Sequence, residues 1–345
     1  MSGTAAKRIL VTGGAGFIGS NFIRFVMEKH PDWHVTNLDL LTYAGNLDNL
    51  ADIADNPNYL FVRGDICDRS VVAPLMDNAD YVVHFAAESH VDRSIEDSTP
   101  FIRTNVQGTQ TLLDEARRAE VERFLHVSTD EVYGQLPLDQ PQLKFTEKTP
   151  ISPSSPYAAS KAASDLLVGA AHHTFGMPVL ITRCSNNFGP YQFPEKVIPL
   201  FVERLLTGGR VPLYGDGKNV RDWLHVLDHA EAILTVLEKG TIGEVYNIGG
   251  NNERNNLELT HTLIQICGRD ESAIEYVPDR LGHDRRYAID ASKIKNELGW
   301  EPKRSTWPEA LEQTVAWYKS HHEWRDRVLS GAYRENLPEM NTVSV

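Results

Sequence analysis

The feature that most constrains this chain is a glycine-rich turn set between a β-branched run and a helical pattern. Arg8–Thr12 leads directly into Gly13-Gly14-Ala15-Gly16-Phe17-Ile18-Gly19. Glycines at G-x-x-G-x-x-G spacing let the backbone turn tightly and approach a ligand closely. The helix that follows offers free N–H groups and the positive end of its dipole to an anion. The spacing departs from G-x-G-x-x-G, but the physics is the same. Alone, such a turn is also compatible with a structural loop; its strand and helix neighbours select the anion-binding reading.

Short β-branched runs then alternate with helical patterns: Arg8–Thr12, a helix over 19–29, strands over 35–38, Tyr59–Arg63, 81–85 and 123–128. That alternation predicts an α/β fold with a doubly wound parallel sheet, a Rossmann-type domain. From Phe188 onward the pattern breaks into Gly-, Pro- and polar-rich loops with isolated helical stretches over 199–206, 257–267 and 307–319. These predict a smaller C-terminal substrate-binding domain. Val226–Lys239 and Val245–Ile248 read as a helix and strand that return to the first domain. The expected division is therefore 1–187 with about 225–250 for the dinucleotide domain, 188–224 and 251–330 for the second, and 331–345 as a tail.

A net charge of −13 disfavours nucleic acid and anionic membranes as partners, because both demand concentrated positive charge. An anionic small molecule must then meet locally placed arginines and helix N-termini. Cys67, Cys184 and Cys267 stand far apart without a CxxC pair, which argues against a disulfide framework or zinc site. The paired histidines His172-His173 and His321-His322 have no acidic ligand spacing, and no metal is expected. Residues 1–7 lack the apolar core of a signal peptide and no later stretch approaches membrane-spanning length, so a soluble cytoplasmic protein is expected.

Asp39 ends the second strand, where a carboxylate bonds ribose hydroxyls and repels a 2′-phosphate, favouring NAD over NADP. A turn or helix-cap role is its bland alternative. Asp65 closes the third strand and meets either an adenine edge or its own turn. Tyr157-Ala158-Ala159-Ser160-Lys161 places a phenol and an ammonium one helical turn apart. In isolation this is usually a solvated pair; behind the glycine turn and Asp39 it reads as a catalytic pair whose ammonium lowers the phenol pKa. The strand at 123–128 runs on into Thr129, and then at once into Asp130 and Glu131. At the C-terminal edge of a parallel sheet such residues face the ligand crevice, although two carboxylates there also suit the cap of the next helix. Adjacent carboxyls in a partly dry cleft can hold different pKa values, one serving as acid and one as base.

With these residues in place the chain to about Lys319 resembles the dTDP-glucose 4,6-dehydratases of the extended short-chain dehydrogenase/reductase family. The resemblance is carried by the glycine turn, Leu40-Leu41-Thr42-Tyr43-Ala44-Gly45-Asn46, the run Phe85-Ala86-Ala87-Glu88-Ser89-His90-Val91-Asp92, Thr129-Asp130-Glu131, Tyr157 with Lys161, Asn186-Asn187-Phe188-Gly189-Pro190-Tyr191, and Gly217-Lys218-Asn219-Val220-Arg221-Asp222-Trp223. It implies that Tyr157, assisted by Thr129 and Lys161, takes the proton of the sugar 4-hydroxyl while C4 is oxidised. Glu131 then removes the C5 proton, Asp130 protonates the departing 6-hydroxyl, and the stored hydride returns to C6. It implies a nicotinamide site made of Gly13, Gly16, Phe17, Ile18, Gly19, Asp39, Leu40, Thr42, Asp65, Ile66, Phe85, Ala86, Ala87, Ser89, Thr104, Tyr157, Lys161 and Asn187. Nucleotide-sugar binding falls to Ser89, Thr129, Asn186, Lys196, Val197, Pro212, Tyr214, Arg221, Asn256, Arg280 and His283, with the arginine forks suited to a diphosphate. Leu281 stands where the family pattern has proline. A homodimer packed through 104–118 and 157–172 is also implied, although those apolar faces equally suit intrachain core. The competing readings are an epimerase or decarboxylase of the same fold, which has no need of Asp130 and Glu131, and a non-catalytic NAD-binding regulator, which has no need of the Tyr-Lys pair either.

Overall fold

The computed structural model describes residues 6–279, 282–335 and 337–340. In chain order its strands are β1 (Arg8–Thr12), β2 (His34–Asp39), β3 (Tyr59–Arg63), β4 (Tyr81–His84), β5 (Arg123–Thr129), β6 (Val179–Cys184), β7 (Asn186–Phe188), β8 (Val211–Tyr214), β9 (Val220–His225), β10 (Val245–Ile248), β11 (Glu253–Asn255) and β12 (Ile274–Val277). Seven of them form a parallel sheet in the order β10-β6-β5-β4-β1-β2-β3.

The sheet is buried on both faces, which is why its strands are near-continuous apolar runs. Ile9 and Val11 of β1, Val83 of β4 and Leu125 and Val127 of β5 turn to one side, into a core shared with Phe22, Ile23 and Val26 of the helix Phe17–Lys29 and Ile233 and Leu237 of the helix Val226–Lys239. Leu10, Val82, Phe124, Val179 and Ile181 turn to the other, against the helices Arg69–Met76, Thr109–Arg118 and Pro156–Phe175. The two-residue period of a strand thus sorts alternate residues into two separate cores.

After β6 the chain leaves the sheet. Strands β11, β9 and β7 make a three-stranded sheet, and β12 pairs with β8. A third core gathers Phe188, Phe201, Trp223, Leu259, Leu263, Leu311 and Tyr318 from these strands and from the helices Val197–Leu206, Asn256–Ile266 and Glu309–Ser320. Between β9 and β11 the chain crosses back, through Val226–Lys239, and lays β10 beside β6 on the large sheet.

One helix departs from α geometry where it matters. The segment Ile102–Gly108 is wound as a π-helix between Thr99–Phe101 and Thr109–Arg118. Such wide turns occur mostly as local insertions at functional sites. Here the widening coincides with buried Asn105, which accepts from the Glu88 N–H at 2.9 Å and donates to Glu88 O at 3.0 Å and Ser160 Oγ at 2.8 Å.

Candidate active site

Strand order reverses between β1 and β4, and in an open parallel sheet the crevice outside the C-terminal strand ends at that point receives the ligand. A cleft of about 330 Å³ opens there. Its floor is the glycine turn. Gly13 has φ +73°, and a Cβ on it would stand 2.6 Å from the Ala86 backbone nitrogen, so only glycine closes the turn against the loop after β4. Gly16 differs: a Cβ there would meet only Gly13 O, at 3.3 Å, and would otherwise project into open space. Gly16 caps the helix Phe17–Lys29 without any side-chain hydrogen bond, and no acidic residue lies in the first turn. That leaves a helix N-terminus free to receive a pyrophosphate.

Asp39 is buried at the far end, where Oδ2 accepts from the Ala15 N–H at 2.9 Å and Oδ1 from the Leu41 N–H at 2.8 Å. It therefore braces the glycine turn and its own loop as well as lining the cleft. Burial pushes its pKa up, opposed by these two hydrogen bonds. Asp65 likewise does both jobs, accepting from the Cys67 N–H at 2.8 Å and from Arg103 at 2.6 Å.

The chemistry sits at the other end. Thr129 closes β5, and its Oγ1 accepts from the Glu131 N–H at 3.3 Å, capping the short 3₁₀ turn Asp130–Tyr133 that carries both carboxylates. The helix Pro156–Phe175 starts with Ser155 accepting from the Ala158 N–H at 3.1 Å, which sets Tyr157 and Lys161 on the inward face. Asp130 is 2% exposed, and its Oδ2 has no hydrogen-bond partner. Burial holds its pKa well above the carboxylate range, and the neighbouring charges of Glu131 and Asp222 add to the shift. That shift favours the protonated form of Asp130, the form a general acid needs.

The phenol of Tyr157 does not follow the expectation that Lys161 lowers it. Burial, followed by the charge of Glu131, holds it well above 10, and hydrogen bonding to Thr129 is the opposing influence. Lys161 Nζ donates instead to Val127 O at 2.8 Å, and burial pushes the ammonium itself down to about 8.

All eighteen residues expected to hold a nicotinamide dinucleotide line this one cleft, together with Thr129, Asp130, Glu131, Asn186 and Lys196. Asn186 Oδ1 is buried without a partner, and Lys196 Nζ donates to Ser89 O at 3.4 Å. The other expected sugar-nucleotide residues that the structure describes do not line it. Val197 opens the helix Val197–Leu206, and Asn256 opens Asn256–Ile266. Pro212 and Tyr214 lie on β8, with the Tyr214 ring 6.2 Å from that of His283. Arg221, on β9, lies over the Tyr287 ring at 4.3 Å and donates to Asp284 O at 3.0 Å. Arg280 and Leu281 fall outside the described residues. Glu88, Phe193, Glu195 and Cys184 line the cleft without having been singled out. Glu88 lies within the run 85–92 that carries the resemblance, and Glu195 adjoins Lys196; those positions are their only signal in the sequence.

A family model described as GDP-mannose 4,6 dehydratase matches residues 10–313. Over 345 aligned residues the chain is 54% identical to dTDP-glucose 4,6-dehydratase of Xanthomonas campestris pv. campestris, covering 94% of this chain and 97% of that protein. The crystal structure of DesIV, the dTDP-glucose 4,6-dehydratase of Streptomyces venezuelae, with NAD and TYD bound, superposes with a TM-score of 0.89 at 52% identity, over 93% of this chain and 99% of the other. UDP-glucose 4-epimerase from Thermotoga maritima shares the architecture at a TM-score of 0.83 but is 32% identical, over 91% and 99%.

Proposed function

We infer the activity of this chain from its family, for it belongs to the dTDP-glucose 4,6-dehydratases. It is a hydro-lyase that converts dTDP-glucose to the 4-keto-6-deoxy sugar by oxidation at C4, loss of water across C5 and C6, and reduction at C6, with NAD as cofactor. The glycine turn, the uncapped helix N-terminus and Asp39 fit that cofactor. When bound, NAD supplies the acceptor for the C4 hydride and its donor to C6, and brings a positive charge.

The residue roles are our proposal. Tyr157 takes the proton of the 4-hydroxyl, with Thr129 hydrogen-bonded to its phenol and Lys161 one turn further along the same helix. The 4-keto group acidifies C5–H, and Glu131 removes that proton while Asp130 gives its own to the departing 6-hydroxyl. The observation that carries this reading is Asp130: a buried carboxyl whose pKa is pushed up, beside Glu131 and in the same cleft as Tyr157, suits an acid next to a base. Ser89, Asn186 and Lys196 meet the sugar end, and Val197, Pro212, Tyr214, Arg221, Asn256, Arg280 and His283 hold the nucleotide and diphosphate. The division into a dinucleotide domain (1–187 with 225–250) and a sugar-nucleotide domain (188–224 with 251–330) belongs to the same reading.

A homodimer through 104–118 and 157–172 belongs to the same proposal, and Leu166, 63% exposed on the second of these segments, supports it. Among the described residues no helix is long and apolar enough to cross a membrane. A cytoplasmic location remains part of the proposal.

Isotopes test the whole sequence at once. Substrate deuterated at C4 yields product carrying that deuterium at C6, and reaction in heavy water places solvent deuterium at C5. Loss of the C4 label to the medium, or its return to C4 in an epimer, overturns the reading.

A further inference from the structure

Behind Tyr157 and Lys161 lies a layer of buried polar groups that the reaction, as assigned, leaves unused. Asp165 follows Lys161 by one turn on the same helix face, and the two are 2% and 4% exposed. Asp165 Oδ2 accepts from Arg183 Nε at 2.8 Å, Arg183 Nη1 donates to the Tyr133 hydroxyl at 3.0 Å, and that hydroxyl donates to Asn247 Oδ1 at 2.8 Å. On the opposite side Asp165 Oδ1 lies 3.4 Å from His126 Nε2, too poorly aligned to hydrogen-bond. The His126 ring stands 5.1 Å from that of His84, whose nitrogens meet Thr12 Oγ1 at 2.8 Å and Thr109 Oγ1 at 2.9 Å. Thr12, His84 and His126 are register neighbours on β1, β4 and β5, so the layer runs straight across the sheet. Lys161 donates to Val127 O, the residue after His126.

A buried ion pair is seldom more stabilising than apolar residues of the same shape, so stability alone does not account for one here. What the layer does control is charge. Burial pushes His126 down to about 4 and His84 well below its ordinary value, so both imidazoles are neutral. Lys161 and Arg183 are then the cations, and Asp165 is the anion. We propose that Asp165 and Arg183 are a positioning pair acting through Lys161: together they hold one net positive charge behind the Tyr157 phenol and keep the ammonium on Val127 O. The groups facing Lys161 are Tyr157 and Asp165 from its own helix, His84 from β4, His126 from β5 with Asp130 and Glu131 just beyond it, and Arg183 and Cys184 from β6. Of these, Asp165 is the anion that most favours the ammonium, and burial is what opposes it.

The inference rests on the Tyr157–Lys161 assignment, and the two fail differently. Asp165→Asn removes the counter-charge and moves the alkaline limb of the kcat/KM profile down by about one pH unit or more. Arg183→Gln frees Asp165 to face Lys161 and moves the limb up. The double variant restores it, because the net charge is again one. Lysine-labelled protein, followed by NMR, shows the Lys161 side chain titrating in step with the activity limb. Removing one partner of a buried pair is strongly destabilising, so where Asp165→Asn does not fold, Arg183→Gln and the double variant decide the matter. Lower melting temperatures with unmoved limbs and an unmoved Lys161 titration make the pair structural only and overturn the proposal. Full activity in Tyr157→Phe instead overturns the assignment beneath it.

Discussion

The two ends of the substrate path are built differently. At the cofactor end, residues from seven separate segments, including the turns after β1, β2, β3 and β4, arrive in one cleft because one sheet sets where its strands stop. At the proposed sugar-nucleotide end, Arg221, Tyr214, Asn256 and His283 sit on β9, β8, a helix start and a loop, and they lie outside that cleft. A parallel sheet aligns its ligands through a single register, so a few local signals place a whole site. Two short sheets and a small third core impose no such common edge, and each residue proposed to bind the nucleotide depends on its own neighbourhood.

The sharpest test of that contrast lies where the two ends meet, at the catalytic cluster. Tyr157→Phe and Glu131→Gln should each lower kcat by about 10²–10⁴-fold, the range of general acid–base catalysis. They should stop at different points. The glutamine variant still oxidises C4, so acid quench releases a 4-keto-glucose nucleotide with no solvent deuterium at C5; the phenylalanine variant releases unchanged substrate. An identical stopping point for both would show that the division of labour between Tyr157 and Glu131 is wrong.

A smaller effect separates the ends themselves. Arg221 is 6% exposed and already donates to Val220 O and Asp284 O. If it also holds the diphosphate, Arg221→Lys should raise KM for dTDP-glucose by about 10-fold or more, since lysine cannot reproduce a planar fork, while NAD content stays at the wild-type level. A loss of NAD with unchanged KM would place Arg221 in the cofactor half and break the comparison.

How much of this was legible in the sequence follows the same line. Strands β1 to β5 announce themselves as short β-branched runs, and Gly13 to Gly19 name the turn. The strand β6 does not, because Thr182 and Arg183 interrupt its apolar run, and Arg183 is buried only by virtue of Asp165, eighteen positions away, in an ion pair that no local pattern reveals. The π-helix at Ile102–Gly108 is hidden for the same reason, since it depends on Asn105 gripping Glu88 and Ser160. For Asp39 the ligand-facing and turn-bracing readings look like alternatives in the sequence, and the fold realises both. Tyr157 and Lys161 are visible as a pair, but the direction in which each is perturbed is set by burial, which spacing does not encode.

The smallest predicted effect concerns the stability of Asp130. Burial raises its pKa in the folded chain above the unfolded value of about 3.9. Whatever it contributes to stability is therefore fully present below that unfolded value and is lost as pH rises toward and through the folded one. As pH rises past the unfolded value the unfolded chain gains by ionising this carboxyl, whereas burial in the fold opposes that ionisation. Asp130→Asn removes the difference without changing the shape of the group, and Oδ2 has no hydrogen bond to lose. The variant should melt a few degrees above the parent at neutral pH, with the gap closing as pH falls toward 4, while elimination is lost. Both proteins must be compared at equal NAD saturation, because bound ligand raises the melting temperature by itself. A gap that does not depend on pH, or a variant that melts lower throughout, would mean that Asp130 is not held protonated and would remove the observation on which its role as the acid rests.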